Sequence, residues 1–253
     1  MDKRAHIMTT SDLSIGYRSG KSENRLMNNL NLSIPKGKLI ALLGANGVGK
    51  STLIRTLANL QAALQGKVFL NDKEVKNYTA KNFAKQVSLV LTDPIQSGNL
   101  NVKDLVEMGR YPFTNWTGRL QAIDQEKVEN AINLCAIAYL KDANIAEISD
   151  GQLQKAMIAR ALAQDGELML LDEPTVHLDA NNRYIVLELL RKLVDETQKS
   201  ILISTHQVEI ALKMADHIWL ANCGEGIISG SPIELIKSGD VEKSFPYLKK
   251  LNF

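Results

Sequence analysis

The chain has 253 residues, 45% of them hydrophobic and 23% charged, and its 30 Lys and Arg nearly balance 28 Asp and Glu for a formal net charge of +2. This is the profile of an ordinary globular protein with material for a sizeable core, in one α/β domain with attachments or two small domains. It excludes the strongly basic balance of a nucleic-acid or membrane-surface binder, and the two cysteines, Cys135 and Cys223, lack both metal-type spacing and the numbers of a disulfide framework.

Two buried thiols in a reducing compartment are therefore expected. The opening "MDKRAHIMTT" has no apolar core of the signal-peptide kind, and no window approaches the ~18 apolar residues of a spanning helix. The expectation is a soluble, cytosolic chain that needs another protein to span a membrane if it works at one.

Residues 6–43 read as strands and turns, with "KLIALLG" a continuous apolar run that suits a strand buried on both faces. "KSTLIRTLANL" follows with apolar residues at 53, 54, 57 and 60, which is helical spacing. "GKVFLNDKEV" predicts a hairpin around Asn71 and Asp72, and "KQVSLVLTD" another strand. The mildly basic "KNYTAKNFAK" reads as a solvated face. From about 94 to 148 helical patterns, "VKDLVEMG" and "DQEKVENAINLCAIAYL", alternate with Gly/Pro/Asn-rich loops, as in a helical insertion. "EISDGQLQKAMIARALAQ" opens a further helix with small polar residues. Strands return in "LMLLDEP" and "SILISTH", the latter after the helix "NRYIVLELLRKLVDET". A closing hairpin in "HIWLANCGEGIISG" and a short helix capped by Ser231 with Pro232 behind it end the pattern.

Three of these strands end in chemistry. "GANGVGKST", residues 44–52, follows a strand and opens a helix, the context in which glycines let backbone amides cradle phosphate. Lys50 then reaches the β- and γ-phosphates of a nucleotide, and the Ser51 hydroxyl can ligate Mg²⁺. Asp172 ends the apolar run "LMLLD", where a carboxylate is costly without a cation to face, and Glu173 beside it can orient an attacking water. His206 tips "SILISTH" and can bond the γ-phosphate or hold Glu173, whereas His6, His177 and His217 have no such setting. The helix start at Ser149 and Gly151 reads either as a plain cap or as a second anion site, whose anion comes from a second copy of the chain in a two-fold arrangement.

The set "GANGVGKST", "ISDGQ", "LMLLDEP", "HLD" and "STH", in this order, resembles the ATP-binding subunits of ABC transporters over nearly the whole chain. The resemblance implies an α/β fold: a P-loop NTPase (RecA-like) core with an antiparallel β-subdomain and a helical subdomain carrying the ABC signature. It implies a single ABC ATPase domain at 6–248, with the core at about 6–93 and 166–248 and the helical subdomain at about 94–165. ATP is held in cis by Tyr17, which stacks on adenine, and by Gly44, Asn46, Gly47, Gly49, Lys50, Ser51 and Thr52. In a head-to-tail homodimer, Ser149, Gly151, Gln152 and Asp179 meet the other copy's ATP. Glu173 is the catalytic carboxylate, with His206 and Lys50, and Mg²⁺ falls to Ser51 and Asp172 with Thr92 as a further candidate.

Within the superfamily the chain is most similar to importers of iron–siderophore, haem or cobalamin, on "NVKDLVEMGRYPFTNW" at 101–116 and the ending "GIISGSPIELIKSGDVEKSF". The resemblance places permease docking near Tyr111, Phe113 and Trp116, and the chain itself peripherally at the cytoplasmic face of the inner membrane. An extracytoplasmic substrate-binding protein is then an indirect partner, and no nucleic acid is expected. Three positions depart from the family pattern. Thr92 stands where the family has Gln, with Gln96 nearby; Asp150 replaces a Gly of the signature; and "LQK" follows where Arg is frequent, with Lys155 in reach. The expected function is ATP hydrolysis that energises import, iron–siderophore first among the cargoes. The alternatives are a soluble ABC ATPase acting on nucleic acid or ribosomes, an exporter ATPase, or a regulatory nucleotide-binding module with weak turnover.

Overall fold

A computed structural model describes residues 5–20, 22–92, 99–116, 118–222 and 226–250. Gln96 and Cys223 lie outside these, as does the expected start of the helical insertion at 94. In chain order the strands are β1 (His6–Ser19), β2 (Ser22–Leu30), β3 (Ser33–Pro35), β4 (Leu39–Gly44), β5 (Gln65–Leu70), β6 (Lys73–Glu74), β7 (Val87–Val90), β8 (Leu168–Leu171), β9 (Ser200–Ser204), β10 (His217–Asn222) and β11 (Gly226–Gly230). The helices are α1 (Lys50–Leu57), α2 (Ala80–Ala84), α3 (Val102–Glu107), α4 (Ala122–Leu134), α5 (Asp150–Ala163), α6 (Ala180–Thr197), α7 (Val208–Met214), α8 (Pro232–Lys237) and α9 (Asp240–Ser244).

Two sheets organise the chain. One is antiparallel in the order β2-β1-β5-β6, with β3 also paired to β1. The other runs β11-β10-β4-β9-β8-β7, parallel from β10 to β7 and closed by antiparallel β11. Every residue of β4, β8 and β9 is buried, as expected of largely apolar parallel strands covered on both faces. Alternate residues serve different cores. Leu39, Ala41 and Leu43 of β4 join Met169, Leu171, Ile201 and Ile203 in a core shared with α3–α7. Ile40 and Leu42 join Leu168, Leu170, Leu202 and Trp219 in a core shared with α1 and the antiparallel sheet. The period of two along each strand thus welds two layers to one sheet.

Local chemistry explains most boundaries. Asn71 and Asp72 both have positive φ (46° and 63°), the turn that lets β5 fold back on β6 in a tight hairpin. Ser231 caps α8 with Pro232 in its first turn. Two helices are shorter than their apolar spacing predicts. Residues 53, 54 and 57 are buried on α1, but the helix ends there: Asn59 turns left-handed (φ 57°), and Leu60 is 62% exposed. Likewise α4 stops at Leu134 because Ala136 takes φ 53°, and the apolar pattern continues only as a 3₁₀ turn at Ala138–Leu140. Among the described residues no helix is long and apolar enough to cross a membrane.

Candidate functional site

The parallel sheet sets β4 beside β9 and β9 beside β8, so the loops at their carboxyl ends share one crevice, the usual place for a ligand in such sheets. The loop after Gly44 turns into α1 through Gly49, whose φ of 111° is closed to side-chain-bearing residues. Ala45, Asn46 and Gly47 are exposed there, as is Ser51 at the start of α1. Lys50 is buried at 4% exposure, and its ammonium donates to the carbonyls of Gly44 (3.0 Å) and Ala45 (3.1 Å). Burial lowers its pKa, opposed by the carboxylates of Glu173 and Asp172.

Across the crevice, Lys50 Nζ lies 3.5 Å from Glu173 Oε1 and 3.5 Å from His206 Nε2. His206 Nε2 and Glu173 Oε1 are 2.6 Å apart. A carboxylate only accepts, so this bond puts a proton on Nε2 and fixes the imidazole's tautomer. Asp172, 2% exposed, sits behind this group. The fully buried Ser204, two residues before His206, joins the two acids: its hydroxyl donates to Asp172 Oδ1 (2.7 Å) and accepts from the Glu173 backbone N–H (2.8 Å). Glu173 has φ 46°, so its backbone is held in the left-handed region. Nothing in the sequence singles out Ser204, because its role arises only where β9 lies against β8.

Tyr17 is 53% exposed and its hydroxyl lies 2.7 Å from Thr52 Oγ1, so the ring stands at the edge of the phosphate loop. The Gln61 amide donates to the Gly16 carbonyl (2.7 Å) and braces that strand from behind. Thr92 lies farther along the crevice. With Asp150, Leu153, Met157, Glu173 and Leu178 it lines a cleft of about 490 Å³ between α5 and the loop after β8.

Ser149 caps α5 in a reciprocal box: its hydroxyl accepts from the Gln152 N–H (3.4 Å), and Gln152 Oε1 accepts from the Ser149 N–H (2.9 Å). The plain cap therefore exists, and its hydroxyl faces solvent at the helix's positive end. Asp150 is exposed at the first position of α5, where the same dipole favours an acid. Asp179 caps α6, accepting from the Asn182 N–H (2.8 Å) and from Asn182 Nδ2 (2.7 Å). In the tract 108–116 the rings of Tyr111, Phe113 and Trp116 are 57%, 37% and 96% exposed. Arg110 turns inward instead, 3.9 Å from the Phe113 ring and bonded to Asp124.

Among the described residues no cluster of three or more His, Cys, Asp or Glu forms a metal site. Ser51, Asp172 and Thr92 offer a hydroxyl, a carboxylate and a second hydroxyl, all hard oxygen donors. That set fits Mg²⁺, which takes few protein ligands and completes its shell with phosphate and water.

A profile of the ABC transporter family matches residues 27–176. An uncharacterized ABC transporter ATP-binding protein of Methanocaldococcus jannaschii is 36% identical over 98% of this chain and 83% of its own length. The achromobactin transport ATP-binding protein of Dickeya dadantii is 34% identical, covering 94% of this chain and 87% of that protein. The ferric enterobactin transport ATP-binding protein of Escherichia coli is 34% identical over 92% and 84%. Among solved structures, an inward-facing ABC transporter described as of metal-chelate type superposes with a TM-score of 0.80 at 28% identity, over 95% of this chain and 89% of that one.

Proposed function

The chain belongs to the ABC transporter family, and from that premise we propose that it is the ATP-hydrolysing subunit of an importer that moves iron–siderophore complexes through a separate membrane permease. The observation that carries the catalytic half is the convergence of Lys50, Glu173 and His206 within 3.5 Å of one another at the carboxyl ends of adjacent strands. The relatives named for achromobactin and ferric enterobactin transport support the cargo class. A nucleic-acid- or ribosome-directed ATPase is not favoured, since these relatives are transport subunits.

In this reading the phosphate loop, Gly44 to Gly49, wraps ATP, and the Lys50 ammonium leaves the Gly44 and Ala45 carbonyls for the β- and γ-phosphate oxygens. Tyr17, steadied by Thr52, stacks on the adenine ring. Ser51 and Asp172, with Thr92, hold Mg²⁺, which supplies charge neutralisation on the phosphates. Glu173 accepts a hydrogen bond from the attacking water and aligns it with the γ-phosphate, while His206 holds the carboxylate in place. Ser149, Gly151, Gln152 and Asp179 close on the nucleotide of a second copy, so ATP draws two chains together and hydrolysis releases them. The segment 94–165 works as the helical subdomain within a single unit spanning 6–248. It presents Tyr111, Phe113 and Trp116 to the permease at the cytoplasmic face of the membrane, and an extracytoplasmic binding protein delivers the cargo from the other side.

The test is Mg²⁺-dependent phosphate release by the purified chain and by Glu173→Gln, together with light scattering of both with ATP. Turnover lost in the variant, with an ATP-dependent dimer that persists, is the expected result. A Glu173→Gln protein that hydrolyses ATP at the parent rate would overturn the assignment of the carboxylate; one that stays monomeric in ATP would overturn the two-fold closure.

A further inference from the structure

The helices that carry Ser149 and Asp179 touch at their first turns, through Gly151 and Asn182. Gly151 is buried, and a Cβ built on it would lie 2.8 Å from Asn182 Oδ1 and 2.9 Å from Asn182 Cγ. A side chain at 151 would therefore have to displace the amide end of Asn182 in the same chain. Turning the Asn182 amide aside costs the bond in which its Nδ2 donates to Asp179 Oδ2 at 2.7 Å, while its backbone N–H still donates to Asp179 Oδ1 at 2.8 Å. These two bonds, the backbone one first, hold the Asp179 carboxyl below the usual aspartate range. Any methyl at position 151 finds room only if the Asn182 amide turns, and turning it releases one oxygen of an exposed carboxylate at the head of α6.

We propose that Asn182 is a positioning residue that locks the Asp179 carboxylate to the start of α5, so that Ser149 and Asp179 meet the partner subunit as one rigid edge. Gly151 is glycine because the Asn182 amide occupies the place of its side chain. This rests on the two-fold closure argued above. It differs from a role in which Gly151 only lets backbone approach phosphate, because the two roles predict different arithmetic for paired substitutions.

The experiment is a cycle of Gly151→Ala, Asn182→Ala and the double variant. Each is melted without nucleotide, assayed for kcat and for the KM of ATP, and tested for ATP-driven dimerisation in a Glu173→Gln background. We expect Gly151→Ala to weaken dimerisation and kcat by about tenfold in the parent and by less than about twofold when Asn182 is already Ala. The KM of ATP should rise in step with the weakened dimerisation, since both copies hold the nucleotide and the two equilibria are linked, and the melting temperatures should show the same non-additivity. An equal factor for Gly151→Ala in both backgrounds overturns the proposal. So does non-additivity confined to melting with dimerisation and kcat intact in Asn182→Ala, which reduces the contact to a packing role. If the Glu173→Gln parent itself fails to dimerise with ATP, the two-fold reading falls and the positioning role with it, whatever the melting cycle shows.

Discussion

Replacing Ser204 by alanine strands two groups at once, the buried Asp172 Oδ1 and the part-buried Glu173 N–H. An unsatisfied buried polar group costs on the order of 1–3 kcal/mol, and here the cost falls on the residues that face nucleotide and water. Glu173 sits at a left-handed φ of 46°, so loss of the Ser204 hydroxyl also removes the hydrogen bond that tethers its backbone N–H. Ser204→Ala is expected to lower the melting temperature and reduce kcat by roughly tenfold or more, equivalent to about 1.4 kcal/mol. Calorimetry and a steady-state phosphate assay check this, and a variant with parental kcat would show that Ser204 does not orient the acids. The residues legible in the sequence are those whose neighbours in chemistry are neighbours in the chain. Gly49, Lys50 and Ser51 announce a phosphate loop because the loop is contiguous. Ser204 and Asn182 act across elements, on Asp172 and Gly151, and no local pattern marks a hydroxyl or an amide for that work.

At the scale of elements, the tract "GRYPFTNW" divides by burial. Arg110 is 4% exposed and ties three elements: its Nε donates to Asp124 Oδ1 (2.9 Å) at the start of α4, its Nη1 to the Ala163 carbonyl (2.7 Å) at the end of α5, and its plane covers Phe113. Asp124 also closes the cap of α4 by accepting from the Gln121 N–H (2.9 Å). Removing one partner of a buried ion pair leaves a charge without compensation, at about 3–5 kcal/mol. Arg110→Ala should therefore shift the urea midpoint of the chain strongly, whereas Tyr111→Ala, next door and exposed, should move it little. Equal midpoints for the two variants would show that the pair does not hold α3–α5 together. Sequence spacing located these helices but overran two ends, at Leu57 and Leu134, since apolar periodicity continues past residues such as Asn59 and Ala136 that leave the helical region. Where a cap is written in side chains, as at Ser149 or Ser231, the boundary was readable.

For the whole molecule, the α/β core was legible because β4, β8 and β9 have apolar centres and lead into the residues that make the site. Their lateral order was not, since nothing in a strand's composition names its neighbours. That order has a consequence for biosynthesis. β4 carries the phosphate loop from residues near the amino terminus, yet its partners in the sheet are β9 and β10, within residues 200–222. While the chain is being made, β4 has neither neighbour until some 150 residues later, roughly 8–30 s at ~5–20 residues per second. During that interval a bare apolar strand waits beside α1 and the antiparallel sheet, which can form first from contacts close in sequence. Nascent chains stalled after residue 198 should thus protect β1–β3, β5 and β6 from protease and leave β4, "KLIALLG", cleavable, with no nucleotide retained. Extending the stall past residue 230, with the tunnel's length added, should bring protection and nucleotide retention together. The phosphate loop is among the first parts of this chain to be translated and among the last to gain its neighbours in the sheet.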